Sequence, residues 1–416
     1  MNAEPSRQAF HPEAFRRRPG VSPPEGHRPR ILHVFRAPVG GLFRHVVDVA
    51  RTQIARGLDV GIFCDSSTGG ERAAQALDEL RPGLTLGITR VPMWRNPHPM
   101  DAAALWALNR TYRTLKPNVL HGHGSKGGAY ARLAFSPALD RGTIRAYTPH
   151  GGSFNYKPGT AMHGLYMTAE AVLARRTDVF LFESQYIAGR FRESVGETDR
   201  TVRIVLNGIG ETEFEPIAHV PDPFDLVYVG ELRPAKGIET LIDAVALLRR
   251  ENGERLTLLV VGSGPDEAAL KARAKDAGIW DSVAFVPPQP IRHALARGAV
   301  MVIPSYAESL PYVILEAAAA AQPLVSTNVG GIPEIFGPYA DELIPARDTR
   351  RLADAILAKH RESPDERRAK AERLAAFVRC RFSLGKMVDG VIDGYEAAFM
   401  ARGIGAAPLE VAPLQP

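Results

Sequence analysis

Cysteine is almost absent from this chain: Cys64 and Cys380 are the only two in 416 residues. That scarcity excludes a disulfide scaffold and a Cys-ligated zinc centre. Both are expected to be free thiols in a reducing compartment. Long apolar runs are missing as well, and none approaches the roughly 18–20 residues needed to cross a bilayer. Residues 1–30 carry six Arg and no apolar core, unlike a secretory leader. A cytoplasmic protein is expected, with 1–29 a disordered lead-in and 404–416 a disordered tail. Wholesale disorder is excluded by a composition that is 45% hydrophobic and 23% charged.

The net charge of +5 conceals an asymmetry. Residues 1–200 hold 27 Lys+Arg against 17 Asp+Glu, a net of +10; the remainder hold 24 against 29, a net of −5. A basic half points to a polyanionic partner: an anionic membrane surface, a phosphorylated lipid or nucleic acid. On the membrane reading the protein is peripheral on the inner face of the bilayer. An uneven solvated surface explains the same numbers. No nucleic-acid motif or interleaved aromatic stripe accompanies the basic half, so no nucleic-acid partner is expected.

The length suggests two or three domains. Short runs rich in Val, Ile, Leu and Phe fall at 31–35, 60–64, 119–121, 143–147 and 178–182, and again at 226–229, 256–261, 283–286, 300–303 and 323–326. Runs that are continuous rather than alternating mark strands buried on both faces of a parallel sheet. Helical periods lie between them. Val46, Val47, Ala50 and Ile54 share one face of a helix over 42–56, and Ile242, Val245, Ala246 and Leu248 one face over 239–249. This alternation, met twice, predicts two doubly wound α/β domains. The turn-rich stretch 207–223 reads as the seam. The expected units are 30–206 and 207–383, followed by a helix over 384–403 that returns to the first.

Ligands of open α/β sheets bind beyond the carboxyl ends of the strands. Glu308 and Glu316 flank the start of a helix expected to follow the 300–303 strand, with Pro311 in its first turn. Two such carboxylates can accept hydrogen bonds from sugar hydroxyls, while the helix terminus attracts a diphosphate. Equally, they can be a dipole-stabilising acid and a surface glutamate. Arg233 and Lys236, in the loop after the 226–229 strand, form a cationic pair able to hold a phosphate leaving group or simply a solvated turn. Gly40 and Gly41 open a helix, where the backbone can approach a ligand closely. His121, His123 and Lys126 end one strand and His150 another. The pair His121 and His123 is expected to point opposite ways, which argues against a shared metal. Loop histidines bonded to backbone are the plainer reading of both.

Taken in order, these segments resemble the retaining glycosyltransferases of family 4, which have the GT-B fold. The resemblance rests on Gly40-Gly41, His121-x-His123, Thr148-Pro149-His150-Gly151, Asn207-Gly208, the stretch 230–237, Gly262-Ser263-Gly264-Pro265, Glu308-x7-Glu316 and Gly330-Gly331-Ile332-Pro333-Glu334. It covers about residues 30–400. It implies an α/β fold of two facing Rossmann-like domains with a cleft between them: an acceptor-binding first domain and a nucleotide-sugar-binding second. The implied activity is transfer of a hexosyl group from a UDP- or GDP-linked donor to a hydroxyl acceptor with retention at the anomeric carbon. No cofactor and no metal is implied. The catalytic set it implies is His123, Arg233, Lys236 and Glu308. Donor contacts fall to Gly40, Gly41, Gly230, Gly262, Gly264, Ser309, Leu310 and Glu316, and acceptor-side contacts to His121, Lys126 and His150. Two departures stand out. The family's arginine position holds Glu231, with Arg233 two residues on, and Pro311 lacks an N–H where the family has glycine. A lipid-linked saccharide in surface-polysaccharide or exopolysaccharide synthesis is the expected acceptor. The alternatives are a non-catalytic nucleotide-sugar-binding subunit and a sugar-nucleotide epimerase on the same fold.

Overall fold

The computed structural model describes residues 29–404 apart from 157–158. The lead-in and tail expected to be disordered fall almost wholly outside the described residues.

The first sheet contains β1 (Arg30–Phe35), β2 (Asp59–Asp65), β3 (Gly87–Val91), β4 (Val119–His123), β5 (Ile144–Thr148), β6 (Val179–Phe182) and β7 (Thr201–Ile204). Its order is β3-β2-β1-β4-β5-β6-β7, every pairing parallel. Parallel neighbours need crossovers, and six helices supply them: α1 (Gly40–Ala55), α2 (Gly70–Leu80), α3 (Asp101–Leu115), α4 (Gly124–Leu133), α5 (Ala161–Ala174) and α6 (Gln185–Val195). The second sheet is β8 (Phe224–Val229), β9 (Leu258–Val261), β10 (Val283–Val286), β11 (Gly298–Ile303) and β12 (Leu324–Ser326), in the order β10-β9-β8-β11-β12. Around it run α7 (Ile238–Asn252), α8 (Glu267–Asp276), α9 (Ile291–Leu295), α10 (Tyr312–Ala319), α11 (Ile332–Phe336), α12 (Thr349–Arg361) and α13 (Pro364–Arg381).

The last helix, α14 (Leu384–Ala401), crosses back. Val388, Val391, Tyr395 and Phe399 join one apolar cluster with Ile31, Val119 and Leu181 of the first sheet. The helix lies so close that a Cβ on Gly394 would sit 2.4 Å from the Leu181 side chain. The chain therefore passes between the two sheets twice, and the two passages are bonded together. Ile209 N–H donates to Phe382 O and Leu384 N–H to Ile209 O, each at 2.9 Å. A side chain at Gly208 would lie 2.5 Å from Ser383 O, which explains the glycine of the Asn207-Gly208 pair.

Two strands escape the sequence pattern, β3 and β7. They are the two edges of the first sheet, where Thr and Arg replace continuous apolar residues and no described residue of β3 is fully buried.

Candidate active site

Strand order reverses at one place in each sheet, between β1 and β4 in the first and between β8 and β11 in the second. A crevice opens beyond the strand ends at such a point. The segments at or beyond the ends of β1 and β4 carry Gly40, Gly41 and His123. Those after β8 and β11 carry Arg233, Lys236 and Glu308.

In the second sheet Lys236 and Glu308 meet. Lys236 Nζ donates to Glu308 Oε1 at 2.6 Å, and Ser305 Oγ donates to the same oxygen at 2.7 Å. The loop bearing Glu308 is held from behind by two glycines. A Cβ on Gly330 would fall 1.8 Å from Glu308 O, and one on Gly331 2.1 Å from Ser309 O. Gly331 N–H donates to Ser309 O at 2.7 Å. Gly262 and Gly264 serve the loop after β8 likewise, since Cβ atoms there would fall 1.9 Å from Gly230 O and 2.2 Å from Leu232 O. The loop after β8 approaches the loop after β11 at a further glycine, since a Cβ on Gly237 would fall 2.0 Å from Pro304 O. Arg233 pairs with Glu231 Oε2 at 2.9 Å, both side chains substantially exposed, whereas the Lys236–Glu308 pair is largely buried.

Glu316 lies in α10 with its carboxylate on Arg44, a residue of α1 in the first sheet's layer. The Arg44 guanidinium also meets Glu213 and Asp48 and lies 4.7 Å above the Tyr312 ring. Burial pushes the Glu316 carboxyl up and the Glu213 carboxyl up to about 7, the arginine opposing both. Burial also disfavours the arginine's own charge, but the three carboxylates more than offset it, so Arg44 stays ionised.

Five histidines converge beside this contact. His33 Nε2 lies 2.8 Å from Gln53 Oε1, His33 Nδ1 3.0 Å from His123 Nε2, and His123 Nδ1 3.1 Å from His150 Nε2. The Gln53 oxygen can only accept. Each imidazole therefore donates towards Gln53 and accepts from the next, which leaves His150 Nδ1 as a bare acceptor at the end of the relay. His150 itself is held at φ +52°, a conformation that costs a non-glycine residue energy. Burial drives all five imidazoles towards the neutral form, with His33 and His45 at about 4. His45 Nδ1 reaches Asn207 Oδ1 at 3.1 Å and the Tyr312 hydroxyl at 3.3 Å. Asn207 Nδ2 donates in turn to Leu310 O at 2.8 Å, linking His45 to the Glu308 loop.

Residues 39–213 match the family described as Glycosyltransferase Family 4, and 210–374 the family described as Glycosyl transferases group 1. A D-inositol 3-phosphate glycosyltransferase of Saccharomonospora viridis is 35% identical over 413 residues, covering 90% of this chain and 92% of its own length. The chain belongs to the group 1 glycosyltransferases. Its fold is GT-B. The crystal structure of Anabaena Alr3699/HepE in complex with UDP superposes with a TM-score of 0.70 at 16% identity, covering 88% of this chain and all of that one. The structure of WaaG, a glycosyltransferase involved in lipopolysaccharide biosynthesis, gives 0.62 at 17%, covering 90% and 98%.

Several expectations for this glycosyltransferase change. His121 and His123 are two residues apart in β4 and so project from one face, with ring centroids 3.9 Å apart. That geometry removes the objection to a shared metal. Nitrogens of His33, His121 and His123, and of His45, His123 and His150, lie within 4.8 Å of one another in each set, a donor set that suits a transition metal. In the structure His33, His121 and His123 use these nitrogens to bond one another or their neighbours, while His45 Nε2 is buried without a hydrogen-bond partner. His121 is locked in the interior, between Tyr395 Oη at 2.7 Å and Thr148 Oγ1 at 2.9 Å. Pro311 caps α10 from the position before it rather than lying in its first turn. The Lys126 ammonium has three acceptors already: Trp94 O at 2.6 Å, Asn96 O at 2.9 Å and Asp101 Oδ1 at 2.8 Å. It anchors the 94–96 loop and the start of α3.

The residues that sequence reasoning missed are those that tie the halves together: Arg44, His45, His33, and the role of Glu334. The Glu334 carboxylate accepts Gln185 N–H and Tyr186 N–H, each at 2.9 Å, at the start of α6 across the cleft.

Proposed function

We propose that this glycosyltransferase moves a hexosyl group from a UDP- or GDP-linked donor to a hydroxyl of a lipid-linked saccharide in surface-polysaccharide synthesis. Transfer retains the anomeric configuration and uses no metal. The observation that carries the reading is the Lys236–Glu308 pair at the switch point of the second sheet, in a loop tied through Leu310 and Asn207 to His45 of the first. The UDP complex of HepE supports a nucleotide-linked donor. The role of WaaG in lipopolysaccharide biosynthesis supports the acceptor class.

The donor diphosphate takes the Lys236 ammonium, which neutralises charge as the sugar–phosphate bond breaks. Glu308 accepts from donor-sugar hydroxyls, and Ser309 N–H and Leu310 N–H add to the diphosphate contacts. The ribose hydroxyls need Glu316, so a bound nucleotide displaces or shares Arg44. The acceptor oxygen attacks on the face the phosphate leaves, and its proton passes to the departing phosphate oxygen. A neutral His123–His150 pair suits this cleft, offering hydrogen bonds without a second cation beside the leaving group. Domain closure excludes the water that would hydrolyse the donor.

Lys236→Ala tests the assignment. Turnover should fall by about 10²–10³-fold, as for loss of one group stabilising developing charge. Turnover within about threefold of wild type would remove Lys236 from the mechanism. Assays with donor alone separate the alternatives. A rearranged sugar nucleotide formed without acceptor would identify an epimerase, and donor binding without any turnover a non-catalytic subunit.

A further inference from the structure

Helix α5 is built inside out. Towards the protein it places Met167, Glu170 and Leu173. Glu170 is its only Asp, Glu, Lys or Arg. That carboxylate is buried, accepting from Arg132 Nη1 and Ser153 Oγ at 2.8 Å and from Tyr147 Oη at 3.0 Å. Outward it shows Met162, Leu165, Ala169 and Val172, a single stripe at steps of three and four. Met162 is 43% exposed, Leu165 58% and Val172 59%. A helix facing water ordinarily turns its charges out and its apolar stripe in.

Neighbouring elements extend this surface. Helices α3 and α5 flank α4, and Trp106 of α3 is 66% exposed. Phe135, just after α4, is also exposed. Its N–H donates to Asn109 Oδ1 of α3, and Arg176, just beyond α5, lies 5.9 Å over its ring. Contiguous apolar exposure of this kind marks an interaction face.

The sign of the charge identifies the partner. Residues 92–176 contain eleven Lys+Arg and three Asp+Glu, a net of +8. All three acids are engaged within the protein. Asp101 takes Lys126 and Tyr130, Asp140 takes Arg145 and Tyr112, and Glu170 is paired as above. Arg110, Arg113, Arg175 and Arg176 are exposed around the apolar stripe. A twofold dimer through α5 would bring two basic rims together, which argues against a second copy as occupant.

We propose that the α3–α5 face docks this glycosyltransferase on an anionic phospholipid bilayer. Met162, Leu165 and Val172 enter the boundary between headgroups and acyl chains, and the surrounding arginines meet lipid phosphates. No described helix is long and apolar enough to cross a membrane, so the contact is interfacial. The chain enters α5 from the β5 end that bears His150, so docking brings the cleft mouth to the lipid. Its use in reaching a lipid-linked acceptor rests on the proposed function, whereas the docking itself does not.

The test is flotation of the full chain with vesicles of phosphatidylcholine alone or with about 30 mol% phosphatidylglycerol. Wild type should bind the anionic vesicles at least tenfold more tightly, roughly as expected for a few arginines near the surface. Leu165→Glu with Val172→Glu should lose about tenfold or more. Arg175→Ser with Arg176→Ser should lose about tenfold and flatten the salt dependence. Val220→Glu, an exposed change near the second sheet, should bind as wild type. Unchanged melting curves for the α5 and arginine variants keep a folding defect from imitating the loss. Lys236→Ala should bind vesicles normally, so failed catalysis and failed docking are told apart. The proposal is overturned if wild type ignores anionic vesicles, or if the Leu165/Val172 variant binds them equally. It is also overturned if sedimentation shows a wild-type dimer that this variant makes monomeric.

Discussion

Replacing His33 with glutamine exposes what the buried relay costs in acid. His33 is fully buried, and burial holds its imidazole at about 4 against 6.5 when solvated. For a base with a depressed native pKa, the unfolded chain binds more protons between those two values. Stability is therefore complete above about pH 6.5 and is lost as pH falls towards 4. At pH 5.5 the unfolded histidine is about 90% protonated and the native one about 3%, which costs about 1.4 kcal/mol; at pH 7.5 the cost is close to zero. Glutamine carries no such titration. The stability advantage of wild type over His33→Gln should thus shrink by about 1.4 kcal/mol between pH 7.5 and 5.5. Comparing the two proteins cancels groups common to both, including the Glu183 carboxyl that burial pushes up to about 7 and that titrates in the opposite sense. His33 also helps to hold His121 and His123 neutral, so its removal relieves them in the variant and moves the gap in the same direction. The assay is urea denaturation followed by tryptophan fluorescence at both pH values. A gap that stays constant, or widens in acid, would refute the picture of a relay buried in the neutral form.

Other contacts give equally direct expectations. Gly330→Ala forces the Glu308 loop to move, and with Lys236 and Glu308 displaced by about 1 Å turnover should fall by about 10²-fold while the circular dichroism spectrum holds. Arg132→Met leaves Glu170 buried without its cation and should lower unfolding free energy by about 3–5 kcal/mol in urea titrations. Glu334→Gln removes the charge at the α6 N-terminus and should cost about 1 kcal/mol in the same assay; no change would mean the cross-cleft cap is open in solution.

How legible this was depended on whether the partners of a residue lie nearby in sequence. Interior strands such as β6 and β9 announce themselves because burial on both faces demands unbroken apolar residues. Edge strands β3 and β7 do not. Lys236 and Glu308 could be singled out because each sits in a loop at a strand's carboxyl end. Arg44 could not, since its meaning comes from Glu316, 272 residues away. His33 and His45 read as an ordinary strand and helix residue until β4 and the chain crossing at Asn207 bring their partners in. Helix α5 is the sharpest case. Its stripe of Met162, Leu165 and Val172 has the spacing of a core face, yet Glu170 with Arg132 occupies the core side, and only the fold reveals the inversion.

The central claim is that a nucleotide-linked donor is held between the two sheets by Lys236, Glu308 and Glu316 without a metal. Thermal stabilisation by a panel of nucleoside diphosphates and nucleotide sugars, measured in EDTA and in a parallel series with excess divalent metal, tests it on wild type and Glu316→Ala together. The account predicts that one base stabilises wild type, by about 2.7 kcal/mol at a hundredfold excess over Kd, and leaves the variant's melting temperature unmoved. No shift with any ligand in wild type, a shift that requires added divalent metal, or an equal shift in both proteins would contradict it.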